Sequence, residues 1–324
     1  MTLMSLEQEI KDRALALGFD DVGITDAAPI DRADVERIEH WLGSGHAGTM
    51  QYMHRNLEKR VHPAALLKGA ESVIVVALNY RPQDQNDPAP TSDTPSGTVA
   101  RYARYDDYHD FMKPLLYDLA DFIARRTDAK QRFKACVDSV PLAERALAVR
   151  AGLGFIGKNH MLIHPKLGPE VFLGELVTTV KLEPDEPTIG LCVACSRCIR
   201  MCPTGALQAD GGFDASKCIN YLTIEHKGEI APELAEQTGR RVFGCDTCIL
   251  VCPHRHAAPP CRNEGLTYHE DRAELSLPHI LTLSAESFER EFAGSPIVRP
   301  GLDGLKRNAQ VCLQNSRRGS CAEE

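Results

Sequence analysis

The sequence predicts an α/β (α+β) domain, then a compact module built around cysteines, then a short helical C-terminal segment. Three observations predict this. Eight of the twelve cysteines in 324 residues lie between Cys192 and Cys252. The cysteine-poor stretch ahead of them alternates strand-like and helix-like patterns, as strands and helices sharing one sheet do. Apolar residues make up 43% of the chain and charged residues 25%, ordinary values for a chain with a sizeable core. The length fits about two domains, and the cysteine distribution places boundaries at 1–185, 186–260 and 261–324.

The elements follow in order. Ser5 with Gln8 forms a capping box for a helix carrying Leu6, Ile10, Ala14 and Leu17 on one face, stopped by Gly18. Val22–Thr25 reads as a short strand and 31–42 as a helix with Ile38 and Leu42 on one face. Residues 72–80 form a continuous, β-branched apolar run, the pattern of a strand covered on both faces. Residues 81–97, rich in Pro, Asp, Ser and Thr without periodicity, read as a mobile surface loop. A long amphipathic helix is expected over 107–126, strands over 133–137 and 171–180, and a helix over 141–151.

The net charge of −8 excludes a strongly basic nucleic-acid coat but not a local basic patch. No run of 18 apolar residues predicts a membrane span, and the first residues show no export signal. Twelve cysteines without an export signal point to metal or redox work in a reducing compartment, so a cytoplasmic protein is expected.

Cys192, Cys195, Cys198 and Cys202, followed by Pro203, spell C-x2-C-x2-C-x3-C-P, the bacterial ferredoxin run. Cys245, Cys248 and Cys252-Pro253 form a half-copy, and Cys218 stands upstream of it. Eight thiolates at these spacings match two [4Fe–4S] clusters. The rule that the fourth cysteine of each run serves the other cluster gives Cys192, Cys195, Cys198 and Cys252 for one, and Cys202, Cys218, Cys245 and Cys248 for the other. The competing reading is a pair of zinc sites, since C-x2-C pairs also serve zinc. Cys136, Cys261, Cys312 and Cys321 read as ordinary thiols. Two clusters alone would need far fewer residues, so the first domain is expected to hold an electron acceptor, a substrate or both.

Several cofactor signatures fail there. Gly152, Gly154 and Gly157 fit G-x-G-x-x-G but follow a helix and not a strand. Asn159 stands where a phosphate loop needs Ser or Thr. Asp107-Tyr108-His109 begins the D-x-H-x-x-G cobalamin signature, but Met112 replaces its glycine. Asp138 ends an apolar strand, where partial burial would raise its pKa and suit it to general-acid work. Its alternative reading is a helix cap or turn residue for the helix near Pro141.

The segments V-D-S-V-P-L-A-E-R, G-F-I-G-K-N and F-L-G-E-L, followed by the double cysteine run, together resemble the epoxyqueuosine reductase family. So do Tyr105-Asp106-Asp107-Tyr108-His109 and the stretch from Cys218 to Glu225. The resemblance covers nearly the whole chain in order. Some members carry a C-terminal helical-repeat extension, and this chain is expected to stop before one. The resemblance implies cobalamin bound between an α/β N-terminal domain and a bacterial two-[4Fe–4S] ferredoxin-like domain. It implies reduction of epoxyqueuosine to queuosine at the tRNA wobble position, the last step of queuosine biosynthesis, with Asp138 as proton donor. It further implies cobalamin contacts at Arg60, Arg101, Asp138, Lys158 and Asn159.

The expected partners are a tRNA anticodon stem-loop carrying epoxyqueuosine and an unidentified low-potential electron donor, with no membrane and a monomeric state. The stretch 291–318 supplies Arg299, Lys306, Arg307, Arg317 and Arg318 against Glu291 and Asp303, with Arg197, Arg200 and Lys227 nearer the clusters. Tyr221 is a candidate to stack on an unpaired base. Two other functions stay open from sequence: a cobalamin-dependent reductive dehalogenase-like enzyme acting on small organohalides, and a non-catalytic electron-transfer protein.

Overall fold

The computed structural model describes residues 4–83, 94–128 and 130–320. Most of the loop read from 81 to 97 lies outside them, as does Cys321. Nine strands occur among the described residues: β1 Asp21–Asp26, β2 Ser72–Asn79, β3 Ser96–Val99, β4 Phe133–Cys136, β5 Phe155–Ile156, β6 Leu162–Ile163, β7 Val171–Thr178, β8 Arg241–Phe243 and β9 Glu274–Ser276.

The main sheet has the order β1-β2-β7-β4, and every neighbouring pair is antiparallel. Strand β2 is buried along its whole length because successive side chains enter opposite cores. Ile74, Val76 and Leu78 face helices Leu6–Ala16 and Tyr108–Ala124. Val73, Val75 and Ala77 face helix Glu144–Arg150. The result is three layers, helix on sheet on helix. Gly23 is required in β1, because a Cβ there would lie 2.0 Å from the carbonyl oxygen of Ala151 at the end of helix Glu144–Arg150.

The expected strands and long helices are present within a few residues of their predicted bounds. Three local expectations need correction. The capping box of the first helix is half formed: Ser5 accepts from the Gln8 N–H at 3.3 Å, but the Gln8 side chain turns to Asp12. The helix expected from 141 begins at Glu144, and its cap residue is Ala143, so Asp138 is not its cap. Strand β3 begins inside the stretch read as loop. Its partners are β8 in parallel and β9 in antiparallel, both remote in sequence, so no local pattern announces it.

That second sheet, β8-β3-β9, draws one strand from each of the three predicted segments. Beneath it Val99, Phe243, Leu277, Ile297, Leu305 and Cys312 share one core. Helix Gly301–Ser320 closes this core from the C-terminal side. No helix among the described residues is long and apolar enough to cross a membrane.

Candidate active site and cluster module

Asp138 follows directly on β4 with φ +48°, in the left-handed region that few side chains other than Asn and Asp adopt readily. The turn leaves its carboxylate at the surface, with 64% of the side chain open to solvent. The Tyr108 hydroxyl donates to its Oδ2 at 3.0 Å, and His109 Nε2 stands 3.7 Å from the same oxygen. Both donors come from the first turn of helix Tyr108–Ala124. Its cap residue Asp107 accepts from the His109 backbone N–H at 3.0 Å and pairs with the ring Nδ1 at 2.7 Å. Tyr108 is fixed by stacking on Phe172 of β7, with centroids 4.3 Å apart.

The electrostatics reverse one sequence expectation. Asp138 is held below the usual carboxylate range, first by His109, then with help from Tyr108, and burial does not overcome them. Burial would lower His109, but Asp107 and Asp138 together push it up to about 9. At neutral pH the proton therefore resides on His109, beside an ionised Asp138. Behind them, the Asp138 peptide N–H donates to Glu144 Oε1 at 2.6 Å. Burial and then Asp138 push Glu144 up to about 8. Glu175, fully buried on β7, is raised well above the usual range by burial and then by Glu144.

The sequence reading singled out neither His109 nor Glu144 for a role. Both lie inside motifs it quoted, but only the fold shows that they converge on Asp138.

The cysteine module is held against this domain by backbone clasps. Gly154, at φ +154°, lets the β5–β6 hairpin close: a Cβ there would meet the Ile163 carbonyl oxygen at 2.3 Å. On that hairpin, Lys158 Nζ donates to the carbonyls of Val193 at 3.2 Å and Cys195 at 2.9 Å. Asn159 Nδ2 donates to the carbonyl of Cys248 at 3.3 Å. Both side chains, expected at cobalamin, are thus turned onto the cysteine loops.

Arg101 is buried as well, with Nη1 3.6 Å from Glu170, which also pairs with Arg255 at 2.6 Å. Its own N–H donates to Asp246 at 2.6 Å, so it ties the Cys245–Cys248 loop to the first domain. Arg60 alone of these four cations and amides stands beside Asp138 and Glu144, with its Nε buried and without a hydrogen bond.

The thiols fall into two neighbourhoods. Cys252 sits among Cys192, Cys198 and Cys195, around a small open-sided space that Lys158, Asn159 and Arg197 also line. Cys218 neighbours Cys245 and Cys202, and Cys248 neighbours Cys245 and Cys218. These are the two crossed sets expected from the spacing. No three His, Cys, Asp or Glu side chains among the described residues converge tightly enough for a single ion. A cubane spreads its thiolates around a multi-atom core, whereas one ion gathers its ligands at bonding distance. Of the remaining thiols, Cys136, Cys261 and Cys312 are buried.

Cys218 leads into a π-helical turn, Tyr221–Glu225. Tyr221 is 6% exposed, and its hydroxyl accepts from the Thr49 N–H at 2.8 Å. A Cβ on Gly48 would lie 2.6 Å from its ring, so the ring is a packed core element and does not stack on a base. Arg307 is likewise structural, since it donates to the carbonyls of Leu222, His226 and Gly228, each at 2.7 Å. Lys227 donates to the carbonyl of Pro300 at 3.1 Å. Arg299 pairs with Glu225 at 3.0 Å and acts electrostatically on Asp138. Arg299 thus stands within electrostatic reach of Asp138, whereas Arg307 and Lys227 are spent on backbone carbonyls.

A ferredoxin-type cysteine module locked onto an α+β domain with an acid–base trio defines an iron–sulfur oxidoreductase. The family model "Epoxyqueuosine reductase QueG, DUF1730" matches residues 60–139, and the "4Fe-4S double cluster binding domain" model matches 191–255. An epoxyqueuosine reductase of Pseudomonas aeruginosa is 39% identical over 316 residues, covering 96% of this chain and 86% of that protein. A crystal structure of epoxyqueuosine reductase with an epoxyqueuosine-modified tRNA-Tyr stem loop superposes with a TM-score of 0.89 at 32% identity, covering 97% of this chain and 82% of that one. The Bacillus subtilis enzyme, solved with its catalytic aspartate loop swung out of the active site, gives a TM-score of 0.86 at 31% identity, with 97% and 82% covered. The chain belongs to the epoxyqueuosine reductase family.

Proposed function

We propose that this protein reduces epoxyqueuosine at the wobble position of a tRNA anticodon stem-loop to queuosine in the cytoplasm, with cobalamin and two [4Fe–4S] clusters. The observation that carries the reading is the Asp138 carboxylate, open to solvent and flanked by Tyr108 and His109. The reaction consumes two electrons and two protons; two carbon–oxygen bonds break, a carbon–carbon double bond forms, and the oxygen leaves as water.

Asp138 is the immediate proton donor and His109 the group that stores the proton, held upright by Asp107. Tyr108 fixes the carboxylate's orientation. The aspartate-loop movement recorded in the Bacillus subtilis relative supports a working part at this position. The two crossed cysteine sets hold the clusters, with Cys202, Cys218, Cys245 and Cys248 on the side of the Asp246–Arg101 tie to the first domain.

The polar groups around Asp138 suit an amide-fringed ligand. Arg60 offers a buried Nε without a partner, and Tyr52 leaves 44% of its surface open beside it. Arg60 would hold cobalamin there; Lys158 and Asn159 serve the cluster loops instead. Cobalamin, when bound, supplies a low-potential metal centre for the reduction. Arg299 is placed to meet a nucleotide phosphate.

The test is anaerobic turnover of epoxyqueuosine-bearing tRNA by protein loaded with iron, sulfide and cobalamin, followed by mass analysis of the digested nucleosides. Loss of one oxygen, dependent on cobalamin, is the expected result. No conversion with iron and cobalamin verifiably bound would overturn the reading.

A further inference from the structure

The exposed apolar side chains of this protein are unevenly distributed. Ile189 is 96% exposed, Val193 77%, Leu191 63% and Met201 54%, and all four flank the cysteine run from 192 to 202. Ile156, on the hairpin that carries Lys158, is also exposed. Exposed apolar side chains gathered this densely along one loop mark a candidate contact site.

The loop owes its shape to its backbone. Lys158 draws in the carbonyls of Val193 and Cys195, and Gly190 lies so close to Phe155 that a Cβ would sit 2.3 Å from the ring. The apolar side chains are therefore left facing outward by a braced loop.

Charge gives the face a sign. Residues 187–205 contain Arg197 and Arg200 and no acidic residue, in a chain whose net charge is −8. Both arginines are exposed, and Arg200 donates to Ser196 Oγ at 3.2 Å. The position of the face is equally informative. It covers the Cys192, Cys195, Cys198 and Cys252 set, which opens to solvent. The other set lies beyond it, with Cys248 adjacent to Cys198. Asp246, inside the second set's loop, is bonded to Arg101, and the neighbouring Tyr102 stands edge-on to Tyr108 at 6.5 Å. The module thus has an outer end at the surface and an inner end at Asp138.

We propose that the face formed by Ile189, Leu191, Val193 and Met201 with Arg197 and Arg200 docks a small acidic one-electron carrier protein, which feeds the outer cluster. The assignment rests on the two-cluster reading above. An apolar centre with a basic border suits a transient encounter: the arginines steer an acidic partner, and the apolar patch excludes water at the closest approach. One electron passes per encounter, so the carrier is oxidised and the outer cluster reduced by one electron, and two encounters supply one turnover.

The experiment uses the cluster-loaded protein and photoreduced flavodoxin as the probe, with cluster bleaching followed by anaerobic stopped flow. The expected second-order rate falls as salt rises, as it does for opposite charges. The variants Arg200→Glu and Ile189→Ser should each slow reduction by flavodoxin by about tenfold or more. Their iron content, reduction by dithionite and dithionite-driven turnover should match the parent. Rates unchanged in both variants, or rising with salt, would overturn the proposal. So would loss of tRNA stem-loop affinity in the variants, or a concentration-dependent dimer that they abolish, since either assigns the face to another occupant. If the parent protein binds iron but shows no dithionite-driven turnover, the functional reading fails separately, and the flavodoxin rates still decide the docking face.

Discussion

The peptide N–H of Asp138 donates to the Glu144 carboxyl at 2.6 Å, which couples an ionised carboxylate to a protonated one through a single backbone group. Glu175 stands behind Glu144 with no exposed surface. The site is thus layered: an open acid at the surface, a histidine beside it that keeps the proton, and two carboxyls beneath that resist ionising.

Asp138→Asn should keep both clusters and lower turnover by about 10²- to 10⁴-fold, the usual worth of a positioned acid. Nucleoside mass analysis reads the rate, and iron content checks the fold. Full turnover in this variant would remove Asp138 from the mechanism.

His109 gives the stability a pH signature. Its folded value of about 9 lies above the unfolded value of about 6.5. The stabilisation from Asp107 and Asp138 is therefore complete below about pH 6.5 and disappears as pH rises through 9. The parent should melt above His109→Gln at pH 6, with the gap closing toward pH 10. A gap constant across that range would contradict the assignment.

Glu144 also makes stability fall as pH rises, but as a growing cost of ionisation and not as a lost attraction. Its folded value of about 8 lies above an unfolded value of about 4.3, so folding carries a cost that grows between those values. Glu144→Gln keeps an acceptor for the Asp138 N–H and removes the ionisation. Relative to the parent, its melting temperature should rise from pH 5 to pH 8 and level off above.

The crossed cysteine sets predict which variants behave alike. Cys198→Ala and Cys252→Ala should each halve the iron and remove the same electron paramagnetic resonance signal. Cys202→Ala and Cys245→Ala should remove the other. Cys136→Ala should leave the iron unchanged. A shared loss in Cys198→Ala and Cys202→Ala would show sequential ligation and not crossed ligation.

Arg307→Ala separates scaffold from substrate contact. Three carbonyls lose a cationic donor, which should cost about 2–3 kcal/mol in denaturant unfolding. Stem-loop affinity measured well below the unfolding midpoint should stay within about twofold. Arg299→Ala should show the reverse pattern, weaker binding with little loss of stability.

Much of this was legible in the sequence. The continuous run of β2 announced a strand covered on both faces, and the C-x3-C-P spacing announced two crossed cysteine sets, because both signals are local. Asp138 was legible as a position but not as a charge state. Its carboxyl is governed by Tyr108 and His109, which arrive from another element, so burial alone gave the wrong direction. Tyr221 and Arg307 take packing and carbonyl-bonding places that their own stretches of sequence do not signal. Polar or aromatic residues near a cofactor run look like ligand contacts until the backbone carbonyls that they serve are folded against them. Strand β3 was hidden because four residues with remote partners carry no periodicity.

During synthesis the ribosome releases β3 well before β8 and β9, and Arg307 after all eight cysteines of the two sets. The turn that carries Cys218 therefore emerges before the helix that holds its carbonyls. A nascent chain arrested at residue 260 has the thiols and the Lys158, Asn159 and Arg101 clasps, but lacks strand β9 and the Arg307 donors to the turn after Cys218. The two cysteine sets therefore acquire their protein supports in order, the Cys195 side from the hairpin that precedes it and the Cys218 side only when Arg307 and Asn308 arrive.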